Sequence, residues 1–300
     1  MKTMNFSKTT TYNRGLEISS KIVYWISWVL LWIQTISLLV IPIYMLLTAF
    51  KSSNLEVVRN PFGFPKTLVW KNFTVIFTVI EEKLQLSVTN MLGVSFIMST
   101  VPQILILFFT TCFAYVEAKY DFIGKKFFFN FGIILMIIPI VGNTAASMQI
   151  RKALHVYDNL FLHIMVSPSG CFSGMNFLML YAAFKVLPWD YAESVFIDGG
   201  NSYTVFFKIY LPMVLPQVFA FFVLGFMAAW NDYSTYMVWL PSTPNVSYGM
   251  YLFNLRANQF RMTQPELMAG FTIVMIPTAI LYILTQNLIT SKLLVGGLKG

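Results

Sequence analysis

Two histidines are the residues of this sequence whose type could bind a metal ion or move a proton. His155 and His163 lie eight positions apart, with no H-E-x-x-H pattern and no cysteine nearby, whereas zinc sites need three or four protein ligands. A loop or interfacial position is therefore favoured for both over a metal site. A phosphate-binding loop is not predicted either, because Lys119 stands where the pattern around Gly124 and Lys125 needs its first glycine.

The composition indicates a membrane protein. Of the 300 residues, 57% are hydrophobic and 11% are charged, which is more apolar surface than a soluble core can bury. The formal net charge of +8 could suggest nucleic acid, but no tract of five or more basic residues occurs. Anionic membrane lipid is therefore the favoured partner of the scattered basic residues, and nucleic acid is not.

Uncharged stretches mark the predicted membrane spans, since a charge at the bilayer centre costs about 2.5–3.5 kcal/mol. Lipid also excludes open sheet edges, so the spans should be helices. The sequence thus predicts an all-α, polytopic membrane protein whose transmembrane domain, residues 22–291, has six transmembrane helices: 22–50, 91–116, 127–150, 159–184, 213–231 and 267–291. A seventh uncharged stretch, Tyr233 to Leu255, is rich in proline and asparagine and is predicted to be a loop with one short helix at most.

The basic amino-terminal tail indicates the orientation. Residues 1–21 and 292–300 are predicted to be cytoplasmic tails, because basic residues concentrate ahead of the first span. The first apolar run is too long for the core of a cleaved signal peptide, so it is predicted to stay as a span. The loop after it would then lie outside, with a short surface helix over 73–80.

Reactive groups are sparse inside the predicted spans. The six stretches contain no Asp, Glu, Lys or Arg, although ion-coupled transporters generally use such groups as relays or ligands. Cys112 and Cys171 lie in apolar runs, which favours free thiols over a disulfide or a thiolate zinc site. A transporter of this composition is expected to take its energy from another subunit.

The segment 188–212 is predicted to be a helical hairpin between the fourth and fifth spans. Asp190 and Glu193 place negative charge near the positive end of a first helix. Gly199 and Gly200 permit a chain reversal, and Asn201 or Ser202 can cap the second helix. Pro212 and Pro216 would then bend the entry to the fifth span. Such an amphipathic hairpin offers a partner protein a surface to grip.

This segment resembles the EAA signature of the permease subunits of ATP-binding-cassette (ABC) importers. Two alanines of the family pattern are replaced by Ser194 and Val195, and its third small position is Gly200. The other positions match: Glu193, Asp198, Gly199, Phe206, Ile209, Leu211, Pro212 and Pro216. The resemblance implies ATPase-coupling roles for Glu193, Ser194, Asp198, Gly199, Gly200, Lys208 and Pro212. A solvated helix position is the alternative for Glu193, and contact with lipid headgroups stays open for Lys208.

The resemblance extends over nearly the whole chain. Residues 230–233, W-N-D-Y, and the carboxy-terminal Gly296–Gly300 are similar to elements of the carbohydrate branch of these permeases, and the nearest type is the maltose-type second permease. The type I importer fold is therefore implied. So is an inward-facing resting state.

The resemblance implies that the chain is the transmembrane permease subunit of an ATP-driven importer for a sugar or oligosaccharide, in a bacterial cell membrane. Its implied partners are a second homologous permease subunit, two cytoplasmic ATPase subunits, an extracytoplasmic solute-binding protein and the carbohydrate. ATP and Mg would bind the ATPase subunits, so this chain would hold no cofactor and catalyse no reaction. A permease for a peptide, an amino acid or another small solute stays open as an alternative, as does, more remotely, a membrane-embedded enzyme or sensor.

Polar residues in the fourth span are candidates for a substrate cavity. Ser169, Ser173 and Asn176 follow a proline in mid-span, and bent or unwound helices line transporter cavities. The alternative is a helix-packing seam formed by Gly170 and Gly174. Asn231 and Asp232 are further candidates, with a polar span terminus as their alternative. Five tryptophans within and between the spans are interpreted as structural: Trp25, Trp28, Trp32, Trp70 and Trp239.

Overall fold

The computed structural model of the protein describes residues 6–138 and 143–293, and this part of the chain is helical, without a strand. The predicted tail motif Gly296–Gly300 lies outside the described residues, as do positions 1–5 and 294–300 of the predicted tails. The helices are α1 (Phe6–Ala49), α2 (Asn54–Arg59), α3 (Lys71–Lys83), α4 (Val88–Lys119), α5 (Lys125–Ile137), α6 (Thr144–Ala153), α7 (Leu160–Val166), α8 (Met175–Val186), α9 (Asp190–Ile197), α10 (Ser202–Thr204), α11 (Leu211–Asn231), α12 (Ser234–Trp239), α13 (Val246–Leu255) and α14 (Gln264–Leu293).

Four helical segments are long and apolar enough to cross a membrane. They are Lys21–Ala49, Val88–Lys119, Ser202–Asn231 and Gln264–Asn287. The second and third of these contain the predicted second and fifth spans, the first covers the predicted first span up to Ala49, and the fourth covers most of the predicted sixth span. The helix that contains the first span begins at Phe6 in the described chain, so most of the predicted tail 1–21 is helical. The predicted surface helix 73–80 is confirmed as part of α3.

The predicted third span, 127–150, is not one continuous helix. α5 ends at Ile137, and α6 begins at Thr144, on the other side of residues 139–142, which are outside the description. Ile138 is extended (φ −69°, ψ 111°), as expected for the residue before Pro139. With 13 residues, α5 is about 20 Å long, which is less than the bilayer core.

The predicted fourth span, 159–184, is also interrupted. α7 leads into a 3₁₀ turn over Ser167–Gly170, and α8 starts at Met175. Gly174 adopts φ +97°, a conformation that side chains with a Cβ rarely adopt. The predicted bend is therefore a full break. Within residues 6–138 and 143–293, an added Cβ at Gly174 would meet nothing within 4 Å, so no helix of this part of the chain packs closely against this glycine.

Two further predictions need correction at the fifth span and after it. The span was predicted to start at residue 213, but helical structure runs unbroken from Ser202, through a π-helix over Val205–Tyr210, to Asn231. Pro212 follows this wide turn, and helical structure continues past it and Pro216. The stretch 233–255 holds two short helices, α12 and α13, instead of one at most.

The described chain forms two compact units. The first comprises residues 6–74 and 263–272. It buries three polar side chains in the segment that follows α1: Lys51, Glu56 and Asn72. The Lys51 ammonium donates to the carbonyls of Asn60 and Pro61, and the Asn72 amide donates to those of Ala49 and Lys51, both at 2.8 Å. Buried polar groups are stable only when they are paired in this way.

Glu56 supports the same loop through its carboxylate. Its Oε1 accepts from the Lys66 amide at 2.8 Å, and its Oε2 accepts from the Ser52 amide and hydroxyl at 2.9 and 2.7 Å. The backbone hydrogen bond from Lys66, followed by those from Ser52, lowers the pKa of Glu56 to about 2. The carboxylate thus joins two ends of the loop 52–66.

The second unit comprises residues 75–138, 143–262 and 273–293. Its main core lies among α4, α8, α9, α11 and the π-helix. The buried side chains of this core are Leu107, Ala114, Tyr115, Phe177, Leu180, Phe184, Ala192, Val205, Phe206, Tyr210, Val214 and Phe221. Close packing also requires Gly132, whose added Cβ would lie 2.4 Å from the Phe172 carbonyl oxygen.

Substituting Glu56→Gln should loosen the loop 52–66. The folded-state pKa lies below the ordinary value of 4.5, so the carboxylate stabilises the loop fully above that value and loses its effect as the pH falls towards 2. At pH 7 we expect a loss of about 1–3 kcal/mol of local stability. Hydrogen exchange at the Ser52 and Lys66 amides measures it, with the exposed Glu82→Gln as control. Unchanged exchange at both amides would contradict this role.

Candidate coupling surface and cavity residues

The hairpin turns through two glycines. Gly199 has φ +79°, and its amide donates to the Phe196 carbonyl at 3.1 Å, while the Gly200 amide donates to the Val195 carbonyl at 2.8 Å. This pair of hydrogen bonds is the Schellman closure of a helix end, which favours glycine at the left-handed position. The predicted chain reversal is therefore present, with Gly199 supplying the turn.

The second arm of the hairpin starts with a side-chain cap. Asn201 Oδ1 accepts from the Thr204 amide at 3.0 Å and from its hydroxyl at 3.1 Å. This satisfies a donor that has no partner inside the first helical turn. Of the two predicted caps, the structure uses Asn201.

The inner face of the hairpin is part of the unit's core. Ala192, Val205 and Tyr210 are fully buried. The Tyr115 ring of α4 lies 4.8 Å from the Phe206 ring and 5.5 Å from the Tyr210 ring, measured between centroids. Aromatic pairs at these separations add stability beyond the area they bury. The hairpin is thus fixed to α4 rather than being a free loop.

The base of the hairpin is held by polar contacts to backbone carbonyls. The Tyr210 hydroxyl donates to the Pro188 carbonyl at 2.8 Å, and the Lys119 ammonium donates to the Leu187 carbonyl. The same ammonium lies 5.1 Å from the centroid of the Tyr210 ring, within the range of a cation–π contact. The corner between α8 and α9 therefore moves with the end of α4 and with the π-helix.

The outer face of the hairpin carries the predicted coupling residues. Glu193, Ser194, Asp198, Gly199, Lys208 and Pro212 are exposed, and Gly200 is half-buried. Ser194 donates its hydroxyl to the Asp190 carbonyl at 2.9 Å, within its own helix.

Two apolar side chains of the hairpin are exposed as well. Ile197 is 85% exposed and Tyr203 is 76% exposed. Sequence reasoning did not select them, although apolar residues on either side of a glycine turn were a usable signal. The outer face therefore combines negative charge with exposed apolar surface, as a protein docking site does.

The three cavity candidates of the fourth span lie around its break. Ser169 is exposed in the 3₁₀ turn, and Ser173 and Asn176 are half-buried. The Ser173 hydroxyl donates to the Gly170 carbonyl at 3.3 Å. The break brings these residues into one non-helical stretch and the first turn of α8.

The other two candidates lie at the end of α11, and their contacts are local. The Asn231 amide donates to the Met227 carbonyl at 2.8 Å. Asp232 Oδ1 accepts from the Ser234 amide and hydroxyl and from the Thr235 amide. Burial opposes ionisation of Asp232, but these hydrogen bonds outweigh it and hold the pKa of the carboxyl below its ordinary value. Asp232 thus stays charged and caps α12.

A hydrogen-bonded junction surrounds Asp232. Trp230 Nε1 donates to the Val274 carbonyl at 3.0 Å, and the Ser247 hydroxyl donates to the Trp230 carbonyl at 2.7 Å. The Asn245 amide donates to the Asp232 carbonyl at 3.0 Å. The W-N-D-Y element therefore ties α11 to α13 and to α14.

Two clefts in the second unit are apolar. One of about 250 Å³ lies between α4 and α11, and one of about 340 Å³ lies beside the hairpin and includes Cys112 and Tyr203 in its lining. Neither lining includes a predicted cavity residue. Recognition of a sugar needs convergent hydrogen-bonding groups, so these clefts do not favour a sugar site.

His155 lies in the loop between α6 and α7, and His163 lies in α7. His155 has φ +56°, and His163 Nδ1 accepts from the Arg151 guanidinium at 3.0 Å. Within residues 6–138 and 143–293, no group of three His, Cys, Asp or Glu side chains is placed to hold a metal ion. Both cysteines in this part of the chain are free thiols.

Similar proteins are known. The arabinooligosaccharides transport system permease protein AraQ of Halalkalibacterium halodurans is 31% identical over 284 residues, which cover 91% of this chain and 98% of the relative. The inner membrane ABC transporter permease protein YcjP of Escherichia coli is 26% identical and covers 85% of this chain and 89% of the relative. No family model matches the sequence.

A solved structure has the same fold. It is the crystal structure of a bacterial ABC transporter involved in the import of the acidic polysaccharide alginate, which matches with a TM-score of 0.71 and 21% identity. The match covers 90% of this chain and 97% of that chain. The fold is therefore that of an ABC importer permease.

Substituting Gly200→Ala should distort the hairpin turn. A Cβ there would lie 2.5 Å from Val195 Cγ1 and 2.9 Å from the Val195 carbonyl oxygen, and such overpacking costs about 1–3 kcal/mol. Hydrogen exchange at the amides of residues 199 and 200 should rise accordingly. The control is Gly93→Ala, where an added Cβ meets nothing within 4 Å. Adding Val195→Ala should restore part of the protection, because it removes only the side-chain contact. Wild-type exchange in Gly200→Ala would show that the turn is not tight.

Proposed function

We propose that this chain, which belongs to the permease subunits of sugar ABC transport systems, moves a sugar or oligosaccharide into the cell. The chain is a multi-pass protein of a bacterial membrane, and its role is transport rather than catalysis. The observation that carries the proposal is the 31% identity to an arabinooligosaccharides permease across 98% of that relative's length. A permease for peptides or amino acids is not favoured.

Partner subunits are proposed to supply the energy. Two cytoplasmic ATPase subunits would bind ATP and Mg and close on hydrolysable nucleotide, while a second homologous permease completes the pathway. An extracytoplasmic solute-binding protein would deliver the carbohydrate. The lack of charged residues in the predicted spans supports this division, because it leaves this chain without an ion relay of its own.

The hairpin is proposed to be the contact through which the ATPase moves this subunit. Its outer face would dock through Glu193, Asp198 and the apolar Ile197 and Tyr203. Its inner face packs against Tyr115, so displacement of the outer face is carried into α4. The second arm is continuous with the helix that ends at Asn231, and a stiff helix transmits such movement along its length.

The substrate pathway is proposed to include the break between α7 and α8. Irregular backbone at membrane depth is tolerated where protein covers it or where it lines a water-filled cavity. Ser169, Ser173 and Asn176 would then offer hydroxyl and amide groups to a sugar. Asn231 and Asp232 remain candidates for the cavity. The carboxylate of Asp232 also caps α12 by accepting from the Thr235 amide.

Six crossings and cytoplasmic termini complete the proposal. Four segments are long enough to cross alone. The broken regions α5–α6 and α7–α8 would each complete one further crossing, since the two helices of each pair together approach the bilayer thickness. Residues 1–21 and 292–300 would then lie in the cytoplasm on the same side as the hairpin.

Substituting Glu193→Ala should uncouple transport. Removal of the exposed carboxylate should lower sugar uptake about tenfold or more, which corresponds to about 1.4 kcal/mol of lost docking free energy. Uptake and ATP hydrolysis by the reconstituted importer measure the effect, and the isolated ATPase subunits should keep their activity. Glu82→Ala, an exposed carboxylate outside the hairpin, is the control. Wild-type uptake by the Glu193 variant would refute the coupling role.

Labelling of single cysteines should map the six crossings. In a chain with Cys112 and Cys171 replaced by alanine, Ile123→Cys and Ile197→Cys should react with a membrane-impermeant maleimide from the cytoplasmic side. Arg59→Cys and Leu154→Cys should react from the opposite side, because an odd number of crossings separates them from the first pair. All four residues are exposed. Labelling of Ile123→Cys and Leu154→Cys from one side would exclude a crossing over 127–150.

A further inference from the structure

The loop between α1 and α3 exposes several large apolar side chains. Phe62 is 64% exposed, Phe64 82%, Leu68 62% and Trp70 66%. Single exposed apolar residues are ordinary, but a cluster of them marks an interaction surface. We call residues 59–71 the aromatic loop.

The aromatic loop is held by the buried polar framework of the first unit. Lys51 binds the carbonyls at residues 60 and 61, and Glu56 binds the amide of Lys66. The Phe50 ring lies 4.9 Å from the Trp70 ring. The apolar side chains therefore project from a fixed backbone, and their exposure does not come from a loose segment.

The aromatic loop folds back beside the end of the first span. The ring of Phe62 lies 5.6 Å from that of Tyr44, which belongs to the candidate span Lys21–Ala49. Tyr44 is five residues before the end of α1, and a helix rises 1.5 Å per residue, so this contact is about 7–8 Å below the helix end. The Phe62 ring therefore lies beside a residue of the candidate span.

Basic side chains flank the apolar ones. Arg59, Lys66 and Lys71 are exposed. In residues 6–138 and 143–293, a side-chain nitrogen lies within 4 Å of a carboxylate oxygen in one pair, Lys125 with Asp121. In this part of the chain, Arg59, Lys66 and Lys71 therefore form no ion pair. Aromatic rings with adjacent Lys and Arg are the side chains that concentrate at the membrane–water interface.

We propose that the aromatic loop is a lipid anchor, which inserts Phe62, Phe64, Leu68 and Trp70 into the interface of the bilayer. Arg59, Lys66 and Lys71 would contact the phosphates of anionic phospholipids. The position of Phe62 favours lipid over a soluble protein partner, because its ring lies beside a residue of the candidate span. The proposal rests on α1 crossing the membrane and not on the identity of the transported solute.

The consequence is a fixed depth for the outer end of α1. A span is free to tilt or slide in the bilayer unless interfacial side chains anchor it. Asn72, the residue after the aromatic loop, donates to the carbonyls of Ala49 and Lys51. A loop seated in the headgroups would therefore hold the end of α1 at their level.

Spin labels on the aromatic loop test the proposal. The full-length chain, with Cys112 and Cys171 replaced by alanine, would carry a label at Phe64→Cys or, in a second variant, Leu68→Cys, in nanodiscs of phosphatidylcholine with or without phosphatidylglycerol. The ratio of collisions with oxygen to collisions with a water-soluble nickel chelate reports depth. We expect this ratio to be several-fold higher at both positions than at the exposed control Glu81→Cys.

Each outcome decides the matter. If phosphatidylglycerol raises the ratio further, and this increase is lost in the triple variant Arg59→Gln/Lys66→Gln/Lys71→Gln, the lipid anchor and its contacts with anionic phospholipid are both supported. A ratio equal to that at Glu81→Cys places the loop in water and overturns the proposal. Protection from both reagents means that protein covers the loop, which also overturns it. A high ratio without dependence on phosphatidylglycerol overturns the role of the three cations.

Discussion

The contact of Tyr115 with the π-helix is the interaction on which the candidate coupling surface depends. Its ring packs against Phe206 and Tyr210, and Tyr210 in turn binds the Pro188 carbonyl at the base of the hairpin. Interiors are packed to crystal-like density, so such contacts transmit displacement instead of absorbing it. Without this face, an eight-residue helix such as α9 would be too short to be stable by itself.

In lipid, the backbone amides and carbonyls of a membrane protein must find hydrogen-bond partners within the protein. A break in a helix therefore needs other partners for the groups that it frees. The long helices meet this requirement along their whole length. The non-helical stretch between α7 and α8 does not, so its backbone groups need protein, water or ligand around them. The close approach of Gly132 to the Phe172 carbonyl shows that the stretch between α7 and α8 is packed against α5. A transport pathway and a break in a span are thus physically compatible in this chain.

The first unit also pairs its buried polar groups, in the segment that follows α1. This segment carries Lys51 and Glu56 at buried positions, and each is paired with backbone groups rather than left uncompensated. Polar networks of this kind specify one conformation, because each member loses its partners if the loop rearranges. The apolar side chains around the network are therefore presented at fixed positions.

Sequence patterns by themselves determined the membrane class, the four long spans, the turn at Gly199 and the family resemblance, because local charge, hydropathy and glycine chemistry decide these features. They did not determine the break at 171–174, the early start of the fifth helical segment at Ser202, or the second short helix in 233–255. Those depend on contacts between distant residues: Phe172 with Gly132, Tyr115 with the π-helix, and Ser95 with the Val246 amide. Hydropathy measures how apolar a segment is, but only tertiary packing decides whether it is continuous, since the carbonyls and amides freed at a break must find partners elsewhere in the fold.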